Sequence, residues 1–237
     1  MDFNPNITKN FLDLSVDSRI SGEEKNAECT DTLAKQKVNE WQKEGSFVVA
    51  NAGAYDGLGL NHLRGLTQAR LIGAAYKIGS LNDLSAVYDL ASSDEIRLIV
   101  SLDTNEAIRE NKSFRSESGG SIRPLFDWET RARMLALQSI RSSTYLVDYI
   151  TKHGPGACEV CDNDSCSHSN VTYNVASSGA DLTIVKSLKQ VTIDTYKNSK
   201  FHIIDENDGA FFDKVLGAQI STTALVKRVK KDRSDLL

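Results

Sequence analysis

The sequence predicts an α/β fold in which helices cover both faces of a doubly wound, mostly parallel sheet. The 237 residues, of which 40% are hydrophobic, suffice for one such domain with a sizeable core. Residues 47–69 have the pattern of a strand, a glycine-rich turn and a helix. Residues 96–102 are almost continuously apolar, which is typical of a parallel strand that is buried on both faces.

The first part of the chain is predicted to be an addition to this fold. We assign residues 1–45 to an N-terminal arm with one helix, and residues 46–237 to the α/β domain. The first 29 residues are polar and show no period, so we expect a loosely structured arm. Residues 30–43 have apolar side chains at helical spacing behind a Thr or Asp cap, and Gly45 ends this helix.

Helices and strands alternate through the rest of the chain. The helix after the glycine-rich turn begins at Leu60, and an inserted helix is predicted at residues 81–91. Asp103 or Thr104 caps the next helix, and Asp127 caps another. The core strands are predicted at residues 47–50, 96–102, 145–150, 181–186 and 201–205.

Composition restricts the partners and the location of the protein. The net charge is −4, so we expect no extended nucleic-acid interface, and the basic cluster at residues 227–233 fits a solvated helix face. No apolar run approaches the ~20 residues that span a bilayer. The first fifteen residues lack the basic and apolar pattern of a secretory signal. We therefore expect a cytoplasmic protein without a membrane partner and without a disulfide framework.

The turn after the first predicted strand has the features of a phosphate site. Gly53, Gly57 and Gly59 lie between the strand and the helix, and His62 lies at the helix start. Backbone N–H groups of such a turn and of a helix N-terminus point at anions. A cation-capable side chain there can stabilise charge on a phosphoryl group that is being transferred.

This turn is also the start of a family resemblance. Residues 53–62 (GAYDGLGLNH) resemble the G-x-F-D-x-x-H-x-G-H motif of the cytidylyltransferase-like nucleotidyltransferases, which include the glycerol-3-phosphate and heptose-phosphate enzymes. His62 stands at the second His of that motif. Gly59 stands where the family has its first His, and Asn61 stands where it has Gly.

Further motifs follow in the order of that family. Lys112 comes after the second strand, as the family's Lys does, and residues 123–131 (RPLFDWETR) resemble R-P-[IV]-x-x-x-E-x-R. The strand at residues 181–186 is similar to D-x-[LV]-[VI]-K-G, and residues 220–225 (ISTTAL) match I-S-T-T-x-[IL]. The resemblance covers residues 46 to 230, apart from three insertions.

The resemblance implies a Rossmann-like nucleotidyltransferase fold and a reaction. A phosphate oxygen of a phosphorylated small molecule, such as a sugar or polyol phosphate, attacks the α-phosphorus of CTP or ATP, and pyrophosphate leaves. His62 would donate to the α-phosphate, Lys112 would pair with phosphates or the acceptor, and Arg131 would anchor the phosphate of the acceptor. Mg²⁺ would bridge the triphosphate. The implied nucleotide-binding residues are Ala52, Gly53, Ala54, Tyr55, Gly59, Lys186, Ser221, Thr222 and Thr223.

Other interpretations of the same residues stay open. His62 can be a solvent-facing residue, Lys112 a surface lysine and Arg131 a partner of Asp127 on one helix. The Ser-Thr-Thr run at residues 221–223 can be an ordinary helix cap. The whole chain can be a nucleotide-binding or interaction protein that has lost catalysis with the missing His, or a nucleic-acid-associated protein. A homodimer is left open.

A cysteine cluster lies in the polar insertion at residues 151–180. Cys158, Cys161, Cys166 and His168 have spacings that can wrap a tetrahedral Zn²⁺, with His153 as an alternative fourth ligand. A loop of reduced cysteines explains the same pattern. We predict a structural zinc because no ligand coincides with the phosphate motifs.

Overall fold

The computed structural model describes residues 16, 18–20, 30–80, 82–113, 124–141, 144–153, 179–185 and 200–203. Five strands form one sheet in which all neighbours are parallel: β1 (Phe47–Gly53), β2 (Ile96–Asp103), β5 (Tyr149–His153), β6 (Leu182–Val185) and β7 (Phe201–Ile203). A separate antiparallel pair consists of β3 (Ser139–Arg141) and β4 (Thr144–Tyr145). The described helices are α1 (Thr30–Lys43), α2 (Leu60–Ile78), α3 (Leu84–Ala91), α4 (Asn105–Ser113) and α5 (Trp128–Ala136).

The parallel strands lie in the order β5-β2-β1-β6-β7. Numbered among themselves along the chain, they have the order 3-2-1-4-5, so the first strand is central, as in doubly wound sheets. The chain moves outward from β1 through β2 to β5 and resumes on the other side of β1 with β6. The parallel α/β sheet confirms the predicted fold class. The boundary between β1 and β6 is the point where strand order reverses, and sheets of this kind bind ligands there.

Both faces of the sheet are covered by helices. Val48 and Ala50 of β1 belong to one core cluster with side chains of α1, whereas Val49 belongs to a second cluster with α2. Successive side chains of a strand point to opposite faces, so α1 and α2 lie on opposite sides of β1. None of the described helices combines the length and the apolar character needed to cross a bilayer.

One predicted strand is displaced along the chain. We predicted a core strand at residues 145–150, but Tyr145 belongs to β4 and the sheet strand begins at Tyr149. Asp148 explains the shift, because its carboxylate accepts the backbone N–H of Leu98 at 2.7 Å. The strand begins directly after this aspartate, whose own backbone N–H donates to the carbonyl oxygen of Leu98 at 2.9 Å.

The described part of the N-terminal arm is packed on the domain. Val16 and Ile20 are buried, and Ile20 forms a parallel bridge to Ile150 at the edge of β5. The guanidinium of Arg19 lies 3.4 Å from the ring centroid of Tyr145. The prediction of a loose arm is wrong for these residues, because an edge strand offers unpaired backbone groups that a neighbouring segment can bind.

The contact between α2 and β1 depends on a glycine. A Cβ atom added at Gly73 would clash with Cγ2 of Val49. Val49 is a fully buried β-branched residue of a central strand, so it has little freedom to move aside. Gly73 therefore allows the helix to approach the sheet closely.

We expect Gly73→Ala to destabilise the protein by about 1–3 kcal/mol, because the added methyl overpacks the core. Gly65 is the matched control on the same helix, since a Cβ there meets nothing within 4 Å. Gly65→Ala should be neutral or stabilising by up to ~1 kcal/mol through helix propensity. Urea unfolding measures both, and equal changes in the two variants would contradict the close approach.

A buried ion pair joins α2 to the amino ends of the strands. Arg70 is completely buried, and its Nη1 donates to Oδ2 of Asp148 at 2.6 Å. Its remaining nitrogen atoms donate to the carbonyl oxygens of Ala91 (2.7 Å), Ser93 (2.9 Å) and Ile96 (2.6 Å). The guanidinium therefore joins α2, the end of α3, the start of β2 and the residue before β5.

We expect Asp148→Ala to cost about 3–5 kcal/mol, because it leaves a buried guanidinium without its counter-charge. The exposed pair of Arg141 and Asp89, 2.6 Å apart, provides the control. Asp89→Ala should cost at most about 1 kcal/mol, since water screens that pair. Denaturant unfolding of both variants checks the difference, and a small loss for Asp148→Ala would contradict a structural function of the buried pair.

Candidate functional site

The candidate site lies where β1 and β2 end. The chain turns there from β1 into α2 through residues 54–59, and from β2 into α4 through Thr104. The start of α5 and the residues before it lie against the same turn, since Leu125 and Phe126 both bind Asp56. The site is therefore built from three loops at the carboxyl ends of parallel strands.

Two glycines and a tyrosine shape the turn after β1. Tyr55 has a positive φ of 46°, which is uncommon for a residue with a side chain. Its ring lies over Gly53, where an added Cβ would be 3.1 Å from Cε2 of the ring. Gly57 has φ 67°, the left-handed region that favours glycine. The turn thus needs Gly53 for space and Gly57 for its backbone conformation.

His62 lies in the first turn of α2, as predicted, and its ring is held in place. The backbone N–H of Gly59, the N-cap residue, donates to Nδ1 of His62 at 3.3 Å. The ring centroids of His62 and Tyr55 are 5.5 Å apart. Because Nδ1 accepts a hydrogen bond, the neutral imidazole carries its proton on Nε2. The side chain therefore presents an N–H donor beside a helix N-terminus.

Arg131 is a buried clamp between the loops. It is 1% exposed, and its Nη1 donates to the carbonyl oxygen of Ala54 at 2.6 Å. Its Nη2 donates to Oδ1 of Asn105 at 2.8 Å, and its Nε donates to the carbonyl of Phe126 at 3.1 Å. Burial lowers the pKa of the Arg131 guanidinium, although the negative charge of Asp56 opposes this shift. These contacts make Arg131 a residue that positions the turn.

Asp56 fixes the loop before α5 against the turn. Its Oδ1 accepts the backbone N–H groups of Leu125 at 2.8 Å and Phe126 at 3.3 Å. Trp128 anchors the start of α5, since its Nε1 donates to the carbonyl of Leu102 at the end of β2. Sequence reasoning assigned no function to Asp56. The signal was present, because Asp56 stands at the Asp of the resembled motif.

Asn51 spans the boundary between β1 and β6. The residue pairs of these strands are Val49 with Leu182 and Ala50 with Thr183. Beyond them, Nδ2 of Asn51 donates to the carbonyl of Ile184 at 3.1 Å.

The other end of the Asn51 side chain contacts the glycine turn. Its Oδ1 accepts a hydrogen bond from the hydroxyl of Tyr55. Burial raises the pKa of that hydroxyl, and the negative charge of Asp103 raises it further, so Tyr55 stays a neutral donor. Sequence reasoning missed Asn51, because nothing in the pattern shows that β6 lies next to β1.

The structure gathers one part of the predicted site. The residues found together at the ends of β1 and β2 are Ala52, Gly53, Ala54, Tyr55, Gly59, His62 and Arg131. Lys112 belongs to the last turn of α4, away from the helix start that faces the site. Predicted residues that lie outside the described ranges are Lys186, Ser221, Thr222, Thr223, Cys158, Cys161, Cys166 and His168.

Within the described ranges, no group of three or more His, Cys, Asp or Glu residues is arranged to hold a metal ion. The cysteine cluster lies outside those ranges, so the structural zinc stays a prediction. The alternative ligand His153 ends β5, where it is the register partner of Asp103.

The chain matches no protein-family model and no curated protein sequence.

The cap of α5 gives a pH-dependent prediction. The carboxylate of Asp127 accepts the backbone N–H of Thr130 at 2.7 Å, and this bond lowers the pKa of Asp127. A lowered pKa in the folded state stabilises the protein above the unfolded value of about 4, and the contribution is lost as the pH falls through the folded value. Asp127→Ala should cost about 1 kcal/mol at neutral pH and less in acid.

Urea unfolding of the wild type and Asp127→Ala at neutral and acid pH measures this difference. The control is Asp83, which caps α3 through the backbone N–H of Ala86 at 3.0 Å and lies on a helix outside the site. Asp83→Ala should also cost about 1 kcal/mol at neutral pH, because it removes the same kind of N-cap bond. A difference between wild type and Asp127→Ala that grows in acid would contradict the assignment of the cap.

Proposed function

We propose that the protein is a nucleotidyltransferase that binds a nucleoside triphosphate where β1 and β6 diverge. It transfers the nucleoside monophosphate to a phosphorylated small molecule, such as a sugar or polyol phosphate, and releases pyrophosphate. The observation that carries this proposal is the setting of His62. Its Nδ1 is held by the N-cap of α2, so Nε2 offers a donor at a helix N-terminus on the ligand-binding edge of the sheet.

The architecture supports the finer assignment to the Rossmann-like nucleotidyltransferase fold. A central first strand and the order 3-2-1-4-5 create the crevice that such enzymes need. The resemblance to the cytidylyltransferase-like family falls on the same turn, because residues 53–62 contain both the strained Tyr55 and His62.

Transfer of a nucleotidyl group requires positioning and neutralised charge more than covalent help. In the proposed reaction, a phosphate oxygen of the acceptor forms a bond to the α-phosphorus, and the bond from that phosphorus to the bridging oxygen of pyrophosphate breaks. The Nε2–H of His62 donates to the α-phosphate as negative charge develops there. Ala52, Gly53 and Ala54 have small side chains or none, so the nucleotide can lie close to their backbone.

Residues from other segments complete the proposed site. We propose that Lys186 contacts phosphates and that Lys112, in the last turn of α4, pairs with the acceptor. We propose further that Ser221, Thr222 and Thr223 bind the leaving pyrophosphate. Arg131 serves by holding the turn, because its donors are bonded to Ala54, Phe126 and Asn105.

In this proposal, Mg²⁺ enters the site bound to the phosphates of the nucleotide. Mg²⁺ commonly binds substrate phosphates and one or two carboxylates and keeps several waters. The nearby carboxylate of Asp56 is engaged by two backbone N–H groups through Oδ1. When bound, the ion would neutralise charge on the triphosphate.

A separate observation, at Gly59, supports an alternative function. At the position of the family's first His, Gly59 has no side chain, and its backbone N–H is bonded to His62. Loss of one such charge-stabilising donor typically costs about 10²–10³ in rate. A nucleotide-binding or interaction protein without turnover is therefore the alternative to the enzyme.

Pyrophosphate release from CTP or ATP with a panel of sugar and polyol phosphates tests the proposal. We expect turnover with one nucleotide and one class of acceptor, and a fall of about 10²-fold or more in His62→Ala, because the donor to the α-phosphate is lost. Nucleotide binding by calorimetry should change far less. His202→Ala is the matched control, since His202 lies on β7 and contacts Tyr76.

The outcomes separate the two functions. Binding of a nucleotide without pyrophosphate release from any pair would favour the non-catalytic protein. Failure of both CTP and ATP to bind would overturn the enzyme and the nucleotide-binding form of the alternative. Equal losses of activity in His62→Ala and His202→Ala would contradict the function assigned to His62.

A further inference from the structure

We propose that Tyr55 and Asn51 are positioning residues that hold the ring of His62 and link it to β6. The inference rests on the proposed function, since it explains how the donor of that reaction is aimed. It depends on a continuous series of contacts from the carbonyl of Ile184 through Asn51 and Tyr55 to His62.

The ring of Tyr55 lies beside the imidazole of His62. It is 7% exposed, and it occupies the space above Gly53 that a Cβ atom would fill. The planes of the Tyr55 and His62 rings are inclined by 57° at a centroid distance of 5.5 Å. Together with the bond from Gly59 N–H to Nδ1, this contact fixes where Nε2 points.

The hydroxyl of Tyr55 fixes the position of its own ring. It donates to Oδ1 of Asn51, and Nδ2 of Asn51 donates to the carbonyl of Ile184. An amide has one acceptor end and one donor end, so these two bonds determine its orientation. A movement of β6 relative to β1 would therefore displace Asn51 and Tyr55, and with them the imidazole of His62.

The ring and the hydroxyl of Tyr55 have different functions. The apolar ring of Tyr55 fills space beside Gly53, and a phenylalanine would do the same. Only the hydroxyl joins the turn to Asn51. The resembled motif has Phe at this position, so the bond to Asn51 is a feature of this chain.

Tyr55→Phe is the decisive variant, because it removes the hydroxyl and keeps the ring. Its matched control is Tyr76→Phe on the same helix-and-turn segment. The hydroxyl of Tyr76 contacts Nδ1 of His202 at 3.2 Å, and the two rings form an edge-on pair with centroids 5.7 Å apart. Asn51→Ala tests the other end of the link.

The first measurement is the NMR signal of the His62 imidazole in the protein without nucleotide, assigned with His62→Ala. We expect Tyr55→Phe and Asn51→Ala to shift and broaden this signal, and Tyr76→Phe to change the signal of His202 alone. The second measurement is kinetic. We expect kcat to fall about 10- to 100-fold in Tyr55→Phe, with KM within about threefold, because a misplaced catalytic group slows the chemical step.

An unchanged His62 signal in Tyr55→Phe overturns the inference, whether or not Asn51→Ala folds. A shifted signal with unchanged kcat also overturns it, because the ring would then move without consequence for the reaction. If the wild type releases no pyrophosphate, the proposed function fails independently. The NMR comparison then still decides whether Tyr55 and Asn51 hold His62.

Discussion

The buried pair of Arg70 and Asp148 is the interaction on which the rest of the structure depends. Four groups accept hydrogen bonds from the guanidinium of Arg70. Three are carbonyl oxygens within residues 91–96, and the fourth is the carboxylate of Asp148, so the contacts join three segments of the chain. Asp148 also accepts the N–H of Leu98, and Asp181 accepts the N–H of Val48 in the same manner. Each aspartate precedes a strand and binds the start of the neighbouring strand. These carboxylates fix the register at the amino ends of the sheet.

A buried arginine lies at each end of the sheet, and the two arginines bond to different kinds of group. At the amino ends, Arg70 has the counter-charge of Asp148 at 2.6 Å and serves stability. At the carboxyl ends, Arg131 bonds to backbone carbonyls and to a neutral amide, with the carboxylates of Asp56 and Asp103 near it. A cation without a directly bonded carboxylate costs more to bury.

Sequence pattern predicts the elements that repeat regularly and misses those that depend on tertiary contacts. The helix at residues 30–43 and the cap at Asp127 follow from local chemistry, and the structure confirms both. The strand that was predicted from Tyr145 begins later, because the carboxylate of Asp148 binds a strand about 50 residues earlier in the chain. Local periodicity contains no information on that contact.

The candidate site also combines features that local sequence pattern predicts with features that depend on tertiary contacts. The glycine turn and His62 are recognisable from spacing, since they need particular residue types at fixed positions. The sequence also placed Arg131 at the candidate site as a phosphate anchor. Its bonds to Ala54 and Asn105 show a clamp, which spacing alone does not distinguish from such an anchor.

The N-cap of α2 and the imidazole of His62 are joined by a hydrogen bond within one helical turn. The ring turns back on its own helix and accepts the backbone N–H of Gly59 at 3.3 Å. Its Nδ1 is then unavailable to a ligand, and every proton that His62 offers in its neutral form comes from Nε2.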